Sequence, residues 1–333
     1  MRGIVFDWQN TMGRRIFLAF LMVLTISSAA AEEKQGDANS WLMAAQRAKA
    51  QLNYRGMVSY IKDNHLENLQ VVHSVIDGEE YERLLSVNSP LREIVREPEK
   101  VTCYFPDSHS LSVDHKPAQR SFLLELPEDL RGLSVSYALE LGESETIAQR
   151  RARKIKIRPL DDFRYGRNIW VDEESKLPLK FELRDENGQI LEEMQFNTLS
   201  IEASIPKADL APTTRYDESW LVKRHESLSA DTLKWTFDGV PEGFRLIAYT
   251  RLKRGSDNRA IDHILLGDGL SSVSIYIDQL MQDIFISQPR KVGAINAYTR
   301  KLDGNLITVM GEVPSKTVQA IANGIRQQDA ANR

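Results

Sequence analysis

The chain is 333 residues long, carries 43 Lys and Arg against 47 Asp and Glu for a formal net charge of −4, and is 42% hydrophobic. That length points to two domains, and the composition is that of an ordinary globular protein. The mild acidity, without a block of like charge, excludes a nucleic-acid-binding arm, and a lone cysteine, Cys103, excludes an intrachain disulfide.

The N-terminus reads as an export signal. Arg14 and Arg15 precede an apolar run from Ile16 to Leu24, extended by Ile26, and then come Ser27-Ser28-Ala29-Ala30-Ala31 and the charged Glu32-Glu33-Lys34. A basic start, a short apolar core and a small-residue cleavage site make a secretory signal peptide. The run is about half the roughly 20 apolar residues that a membrane span needs. Cleavage between Ala31 and Glu32 is expected, and it removes Arg2, Asp7, Arg14 and Arg15, a net of +2 that takes the chain from −4 to −6. Met12 makes a more conventional start than Met1, and no cysteine follows the apolar run to make a lipoprotein. Export puts Cys103 in an oxidising compartment. Its strand-like setting, Val101–Phe105, suits a small buried hydrophobe better than a reactive thiol.

The mature chain opens with a helix. Asn39 or Ser40 is the expected cap, Trp41, Ala45, Ala48 and Leu52 form one face, and Gly56 is the expected left-handed terminator. Strands follow at Met57–Ile61, Leu69–Ile76, Glu80–Val87, Leu91–Arg96 and Val101–Phe105, with a hairpin at Asp77-Gly78. A helical interlude is expected over Leu126–Leu139. Strands resume at Ala152–Pro159, Asn168–Asp172, Leu179–Arg184 and Gln189–Ile201, with a second hairpin at Asn187-Gly188. Hairpins at such short spacing give an antiparallel meander, and so many strands in one sheet curl partway into a barrel.

Pro206, Pro212 and a weakly patterned polar stretch then mark a linker over 213–231. A smaller unit follows, with strands at Phe244–Leu252, Ser272–Ile277, Ala294–Leu302 and Asn305–Val313 and a third hairpin at Asp303-Gly304. It closes with a helix capped by Ser315, whose Val318, Ile321 and Ile325 share a face. The expected fold class is α+β: a large antiparallel, partly closed, barrel-like sheet with helices, then a small α+β domain. The boundaries are a signal peptide at 1–31, a large domain at 32–212, the linker, a small domain at 232–327 and a frayed tail at 328–333.

No nucleotide, zincin or hydrolase signature is present. Gly267-Asp268-Gly269 reads as a turn. Asp107, His109, Asp114 and His115 are the best metal candidates, and a solvated loop explains them better. Asp161-Asp162 and Glu173-Glu174 flank strand ends, where acidic turn residues are common. The basic run Arg150-Arg151-Ala152-Arg153-Lys154 suits equally a charge-protected sheet edge or an acidic or phosphate-bearing ligand. No catalytic residue, cofactor or metal is assigned, and the chain reads as a binding protein, not an enzyme.

Several stretches in order carry a family resemblance. They are Leu52-Asn53-Tyr54-Arg55-Gly56, Glu82-Arg83-Leu84, Arg92-Glu93-Ile94, Cys103-Tyr104-Phe105-Pro106-Asp107, Phe163-Arg164-Tyr165-Gly166, Trp170-Val171-Asp172 and Leu177-Pro178-Leu179-Lys180. In the smaller unit they are Val240-Pro241-Glu242-Gly243-Phe244, Ser271-Ser272-Val273-Ser274, Gly293–Tyr298 and Gly311-Glu312-Val313-Pro314. In these the chain resembles the RseB/MucB family, periplasmic negative regulators of the envelope-stress sigma factor, sigma-E. The resemblance implies a large domain similar to the periplasmic lipoprotein carriers. It also implies binding to the periplasmic domain of an inner-membrane anti-sigma factor, which is thereby shielded from site-1 proteolysis. A lipid or lipopolysaccharide ligand in the large domain is the implied signal, and a homo-oligomer is left open. The stretch Gly142-Glu143-Ser144-Glu145-Thr146 departs from the family's glycine-rich loop before the basic strand.

Site residues follow as expectations. Trp170, Phe181, Leu183 and Phe196 are candidates to line an apolar pocket for acyl chains. Trp235, Phe244, Arg245, Tyr249, Arg251, Tyr276 and Tyr298 are candidates for the partner contact, with Lys253 and Arg254 adding charge, and only two of the aromatics are expected at the surface. A periplasmic lipid or lipoprotein carrier is the alternative, which the second domain disfavours because a carrier needs only the cavity.

Overall fold

The computed structural model describes residues 38–88, 90–115, 130–254, 259–279 and 289–328. The signal peptide, with the Ala31–Glu32 cleavage site, lies outside these residues, as do 126–129 of the expected central helix and 329–333 of the tail. Among the described residues no helix is long and apolar enough to cross a membrane.

Helix α1 is already formed at residue 38 and runs to 51, so Asn39 and Ser40 lie within it and do not cap it. Its buried stripe is Ala38, Leu42, Ala45 and Ala48, with Trp41 and Leu52 half-buried beside it. Strand β1 (Asn53–Lys62) starts one residue after Leu52. Gly56 is therefore a mid-strand residue, not a helix terminator: a Cβ there would lie 2.3 Å from the Thr198 carbonyl oxygen and 2.9 Å from the Phe196 ring. The position needs glycine for close approach, not for left-handed backbone.

The large sheet comprises β1, β2 (His65–Ile76), β3 (Glu79–Ser86), β4 (Glu93–Glu97), β5 (Lys100–Phe105), β6 (Ser110–His115), β7 (Tyr137–Ile147), β8 (Arg150–Pro159), β9 (Gly166–Asp172), β10 (Pro178–Arg184), β11 (Ile190–Glu202) and β12 (Leu221–Ser227). Their spatial order is β7-β8-β9-β10-β11-β1-β2-β3-β4-β5-β6-β12. All neighbours are antiparallel except β6 and β12. The sheet curls but does not close, since β7 pairs with β8 alone among the described residues. Asp77-Gly78 takes positive φ at both positions, the type I′ hairpin its sequence calls for.

Three segments differ from expectation. Leu130–Val135 forms a 3-10 turn, not an α-helix, burying Leu130 and Leu133 at the spacing of three that this helix favours. Tyr137 and Leu139 then alternate inward as strand residues, so a period of two replaces the apparent helical face. Ser110–His115, expected as loop, is β6, whose polar residues disguised the buried Leu111. Gly142–Thr146 is no loop either. It belongs to β7, with a register irregularity between Leu141 and Ser144.

The 213–231 linker also contains a strand. Leu221–Arg224 of β12 pair parallel with Ser110–Val113, and His225–Ser227 pair antiparallel with Thr250–Leu252. The connection is thus hydrogen-bonded into both sheets, although its side-chain pattern is weak. After β13 (Trp235–Phe237), the small domain is built of β14 (Arg245–Arg254), β15 (Arg259–Gly267), β16 (Ser272–Gln279), β17 (Arg290–Val292), β18 (Ile295–Leu302) and β19 (Asn305–Gly311). Their order is β14-β15-β16-β19-β18-β17. Helix α2 (Ser315–Gly324) packs on β18 and β19, and β20 (Ile325–Gln327) pairs with β13. Pro314 occupies the cap position, and Ser315 is the first helical residue. A second core, including Val273, Ile275, Ile307, Val318, Ile321 and Ile325, fills the space between α2 and the sheet.

Candidate functional site: the junction of the two domains

The segment between β8 and β9 carries Phe163-Arg164-Tyr165, and these residues reach into the small domain. The Arg164 guanidinium is about 1% exposed and sits 2.5 Å from Asp161 and 2.7 Å from Asp268, which is equally buried. It also donates to the Glu242 carbonyl oxygen. Its flanks are rings, with centroids 5.6 Å away at Tyr137 and 5.1 Å away at Phe244. Burying a charge costs several kcal/mol unless partners satisfy it. Here each donor-bearing nitrogen has an acceptor.

Asp268 is positioned by its own turn. One carboxylate oxygen accepts the Leu270 and Ser271 backbone amides at 2.9 and 2.7 Å, and the other accepts Arg164 and the Tyr137 hydroxyl at 2.7 and 2.8 Å. Burial and the Asp268 charge push the Tyr137 hydroxyl pKa upward. Gly243, at φ +87°, packs against this cluster, where a Cβ would lie 2.8 Å from the Ser136 hydroxyl. Arg167 adds a bond to the Leu270 carbonyl at 2.6 Å.

The contact continues on both sides. Asn296 donates to the Tyr165 hydroxyl at 3.0 Å and to the Val313 carbonyl at 2.8 Å, and Thr317 donates to the Phe163 carbonyl at 2.7 Å. Leu183 packs with Tyr165 and Ala294. At the far end Lys62 bridges Glu192 of its own domain at 2.6 Å and Glu312 of the small domain at 2.9 Å. A groove of about 410 Å³ opens there, lined among others by Ile61, Asp63, Glu192, Lys291 and Gly293.

A second cluster ties down the start of the connection. Glu93 is fully buried and accepts from Arg83 at 2.6 Å, from the Thr213 amide at 2.9 Å and from the Thr214 amide at 2.7 Å. Burial raises its pKa, but these hydrogen bonds outweigh it and hold the carboxyl below the usual range. Past them, Trp220 and Val222 pack on Val95, Tyr104 and Leu111.

The candidate pocket residues are packed. Trp170, Leu183 and Phe196 are buried and Phe181 half-buried; Trp170 and Phe196 belong to the main core, whereas Leu183 faces the small domain. Trp170 lies beneath two ammonium groups, Lys154 and Lys180, 4.4 and 4.9 Å from its ring. The candidate contact residues are dispersed. Trp235, Phe244 and Tyr249 are buried in the small domain's core, Tyr276 and Tyr298 are half-exposed, and Arg245 is exposed. Arg251 is held by Asp262 at 2.9 Å, as is the Tyr249 hydroxyl, whose pKa burial and Asp262 push up to about 12. The side chains of Lys253 and Arg254 lie outside the described part.

Asp107, His109, Asp114 and His115 do not converge, and no metal-competent group of three His, Cys, Asp or Glu side chains occurs among the described residues. Asp161 and Asp162 serve the junction through Arg164 and Lys316. Of the basic run, Arg150 is bound to Asp172 at 2.8 Å. Cys103 is a half-buried free thiol whose pKa burial raises. Sequence reasoning passed over Asp268, Asn296 and Glu93 as site residues. Some signal was there: of the stretches carrying the resemblance, Phe163–Gly166, Val240–Phe244, Gly293–Tyr298 and Gly311–Pro314 contribute to the junction and Glu82–Leu84 and Arg92–Ile94 to the Glu93 cluster, although none is a chemical motif and Asp268 lies in none of them.

Residues 37–214 match the MucB/RseB N-terminal domain and residues 229–326 the MucB/RseB C-terminal domain. The chain is 27% identical to the sigma factor AlgU regulatory protein MucB of Pseudomonas aeruginosa, over 98% of this chain and 100% of that protein. It is 25% identical to the sigma-E factor regulatory protein RseB of Haemophilus influenzae, over 93% of this chain and 97% of that one. Among solved structures, the P. aeruginosa MucA/MucB complex superposes with a TM-score of 0.73 at 26% identity, covering 88% of this chain and 100% of that one. A crystal structure of MucB with MucA(peri) gives a TM-score of 0.70 at 25% identity, with the same coverage.

Proposed function

The chain belongs to the MucB/RseB family, and we propose that it is exported to the periplasm and there binds the periplasmic segment of an inner-membrane anti-sigma factor. By covering that segment it shields it from site-1 proteolysis and keeps the sigma factor sequestered. The observation that supports this most is the likeness, over 88% of this chain, to MucB as it stands with MucA.

For the contact itself we favour the face of the small sheet opposite α2. Along β16, Val273, Ile275 and Ile277 enter the core, so Ser274 and Tyr276 face the other way. Tyr276 stacks on His263 at 4.5 Å and pairs across the sheet with Thr308. His263 in turn is hydrogen-bonded to Thr250 and Ser274. A half-exposed aromatic with its rotamer fixed by stacking is the type of residue that dominates interfaces. The exposed Arg245 adds positive charge for an acidic or backbone-rich segment.

A lipid or lipopolysaccharide ligand in the large domain completes the proposed regulation. The inner stripe of α1 belongs to the same core as Phe196, with Phe181 packed against that core, so lifting the helix would open it to an acyl chain. A ligand that releases the partner must bind the partner-free form better.

The test is capture of the purified periplasmic segment by the full mature chain, with lipopolysaccharide as a parallel ligand. Capture supports the regulator. Lipid binding without capture of the segment identifies a carrier instead.

A further inference from the structure

Where the two domains meet, one ammonium group serves two carboxylates. Glu192 on β11 is about 4% exposed at its side chain and takes the Lys62 ammonium at 2.6 Å and the Tyr60 hydroxyl at 2.7 Å. The same ammonium reaches Glu312 of the small domain at 2.9 Å, and Glu312 is 41% exposed. The titratable groups around Glu192 are thus the neutral Tyr60 hydroxyl and Lys62 on β1 and Glu312 after β19. Asp63, Glu193 and Lys291 line the adjoining groove, and Arg92, held at 2.7 Å by Glu67, stands behind Tyr60.

The junction is uneven. At one end Arg164, Asp268 and Tyr137 form a buried, hydrogen-bonded cluster, and the Asn296–Tyr165 bond lies between it and the groove. At the other, the β1–β2 turn approaches the β17–β18 turn across the groove, with Gly293 set against Asp63, and Lys62 to Glu312 is the ion pair that spans it among the described residues. The first end is suited to act as a pivot and the second to open.

We propose that Glu192 is a proton-binding site that sets the width of this groove: protonated, it leaves Lys62 to Glu312 and the groove closes, and ionised, it competes for Lys62, repels Glu312 and the groove opens. The pKa of Glu192 is raised, first by burial and then by the Glu312 carboxylate. Glu312 exerts its effect only while the domains are together. The closed junction therefore binds the proton more tightly than the open one, and by linkage the proton favours closure. The sign follows. Closure is fully favoured below the pKa of Glu192 in the open form, and the advantage is lost as pH rises through its raised value in the closed form.

The experiment uses the full mature chain with Cys103→Ser, labelled for Förster transfer at Arg47→Cys on α1 and Asn323→Cys on α2, both exposed positions. Transfer efficiency is followed from mildly alkaline to acid buffer. A single-proton transition is expected, with its midpoint above the ordinary Glu value of about 4.3. Glu192→Gln, close to the shape of the protonated acid, is expected to hold the acid-side efficiency at every pH. Glu312→Gln, at a half-exposed site that tolerates substitution, is expected to lower the midpoint. A wild-type efficiency that does not change with pH overturns the proposal, and so does a transition that survives unchanged in Glu192→Gln.

Discussion

The Nε of Arg164 lies 2.7 Å from a carboxylate oxygen of Asp268, across the boundary between the domains, with both side chains withdrawn from water. Such a pair is weak evidence for net stability, but removing one partner leaves a buried charge uncompensated, at a cost of about 3–5 kcal/mol. Asp161 remains beside Arg164 and reduces that cost. We predict that Asp268→Asn lowers the denaturant midpoint of the full chain by an amount equivalent to about 2–4 kcal/mol. Arg164→Ala and Asp268→Ala together should cost clearly less than the sum of the single changes. Additive effects in that cycle would mean that the two groups are not coupled.

Gly56→Ala is expected to be more damaging than its single methyl suggests. The added carbon meets the Thr198 backbone oxygen at 2.3 Å, and backbone cannot yield as a flexible side chain can. A loss of about 1–3 kcal/mol in unfolding free energy is predicted. An unchanged melting temperature contradicts the close approach.

Glu93 supplies a pH dependence of definite sign. Its folded pKa is depressed, so the stability it contributes is present above its unfolded value of about 4.3 and is lost as pH falls through the depressed folded value. Glu93→Gln should flatten the acid limb of the stability curve and loosen the Thr213–Thr214 anchor. Because Trp220 packs just beyond it, tryptophan emission during acid titration reports the change. An acid limb identical to that of the parent chain would rule Glu93 out as its source.

Much of the fold is legible in the residue pattern. The strands of the meander, the Asp77-Gly78 hairpin and the last helix have strong local signals: alternation, turn chemistry and a helical stripe. The failures have physical causes. Leu130, Leu133 and Tyr137 satisfy a helical period by coincidence, because a 3-10 turn running into a strand places the same residues inward. Strand β12 is held by backbone pairing with β6 and β14 and shows little side-chain pattern. The junction was hidden for another reason: Arg164 and Asp268 are 104 residues apart, and nothing local marks either as buried. The family resemblance found the stretch around Arg164 without saying what it does, and it passed over Asp268.

On the small domain, Tyr276→Ala should leave the fold intact and weaken capture of the anti-sigma segment about tenfold or more, as truncation of an interface hot spot does. Trp235→Ala removes a core residue and should unfold the domain. Affinity should also fall with added salt if Arg245 steers the segment. Full capture by a folded Tyr276→Ala chain places the contact elsewhere.

Protection of the anti-sigma segment from cleavage can be measured outright. The periplasmic segment of the anti-sigma factor is incubated with the site-1 protease, with and without an equimolar amount of the full mature chain, and the intact segment is followed over time. The segment's lifetime is expected to lengthen in proportion to the fraction bound, and Tyr276→Ala is expected to lose this extension. Cleavage at an unchanged rate while the segment is fully bound would contradict the proposed shielding.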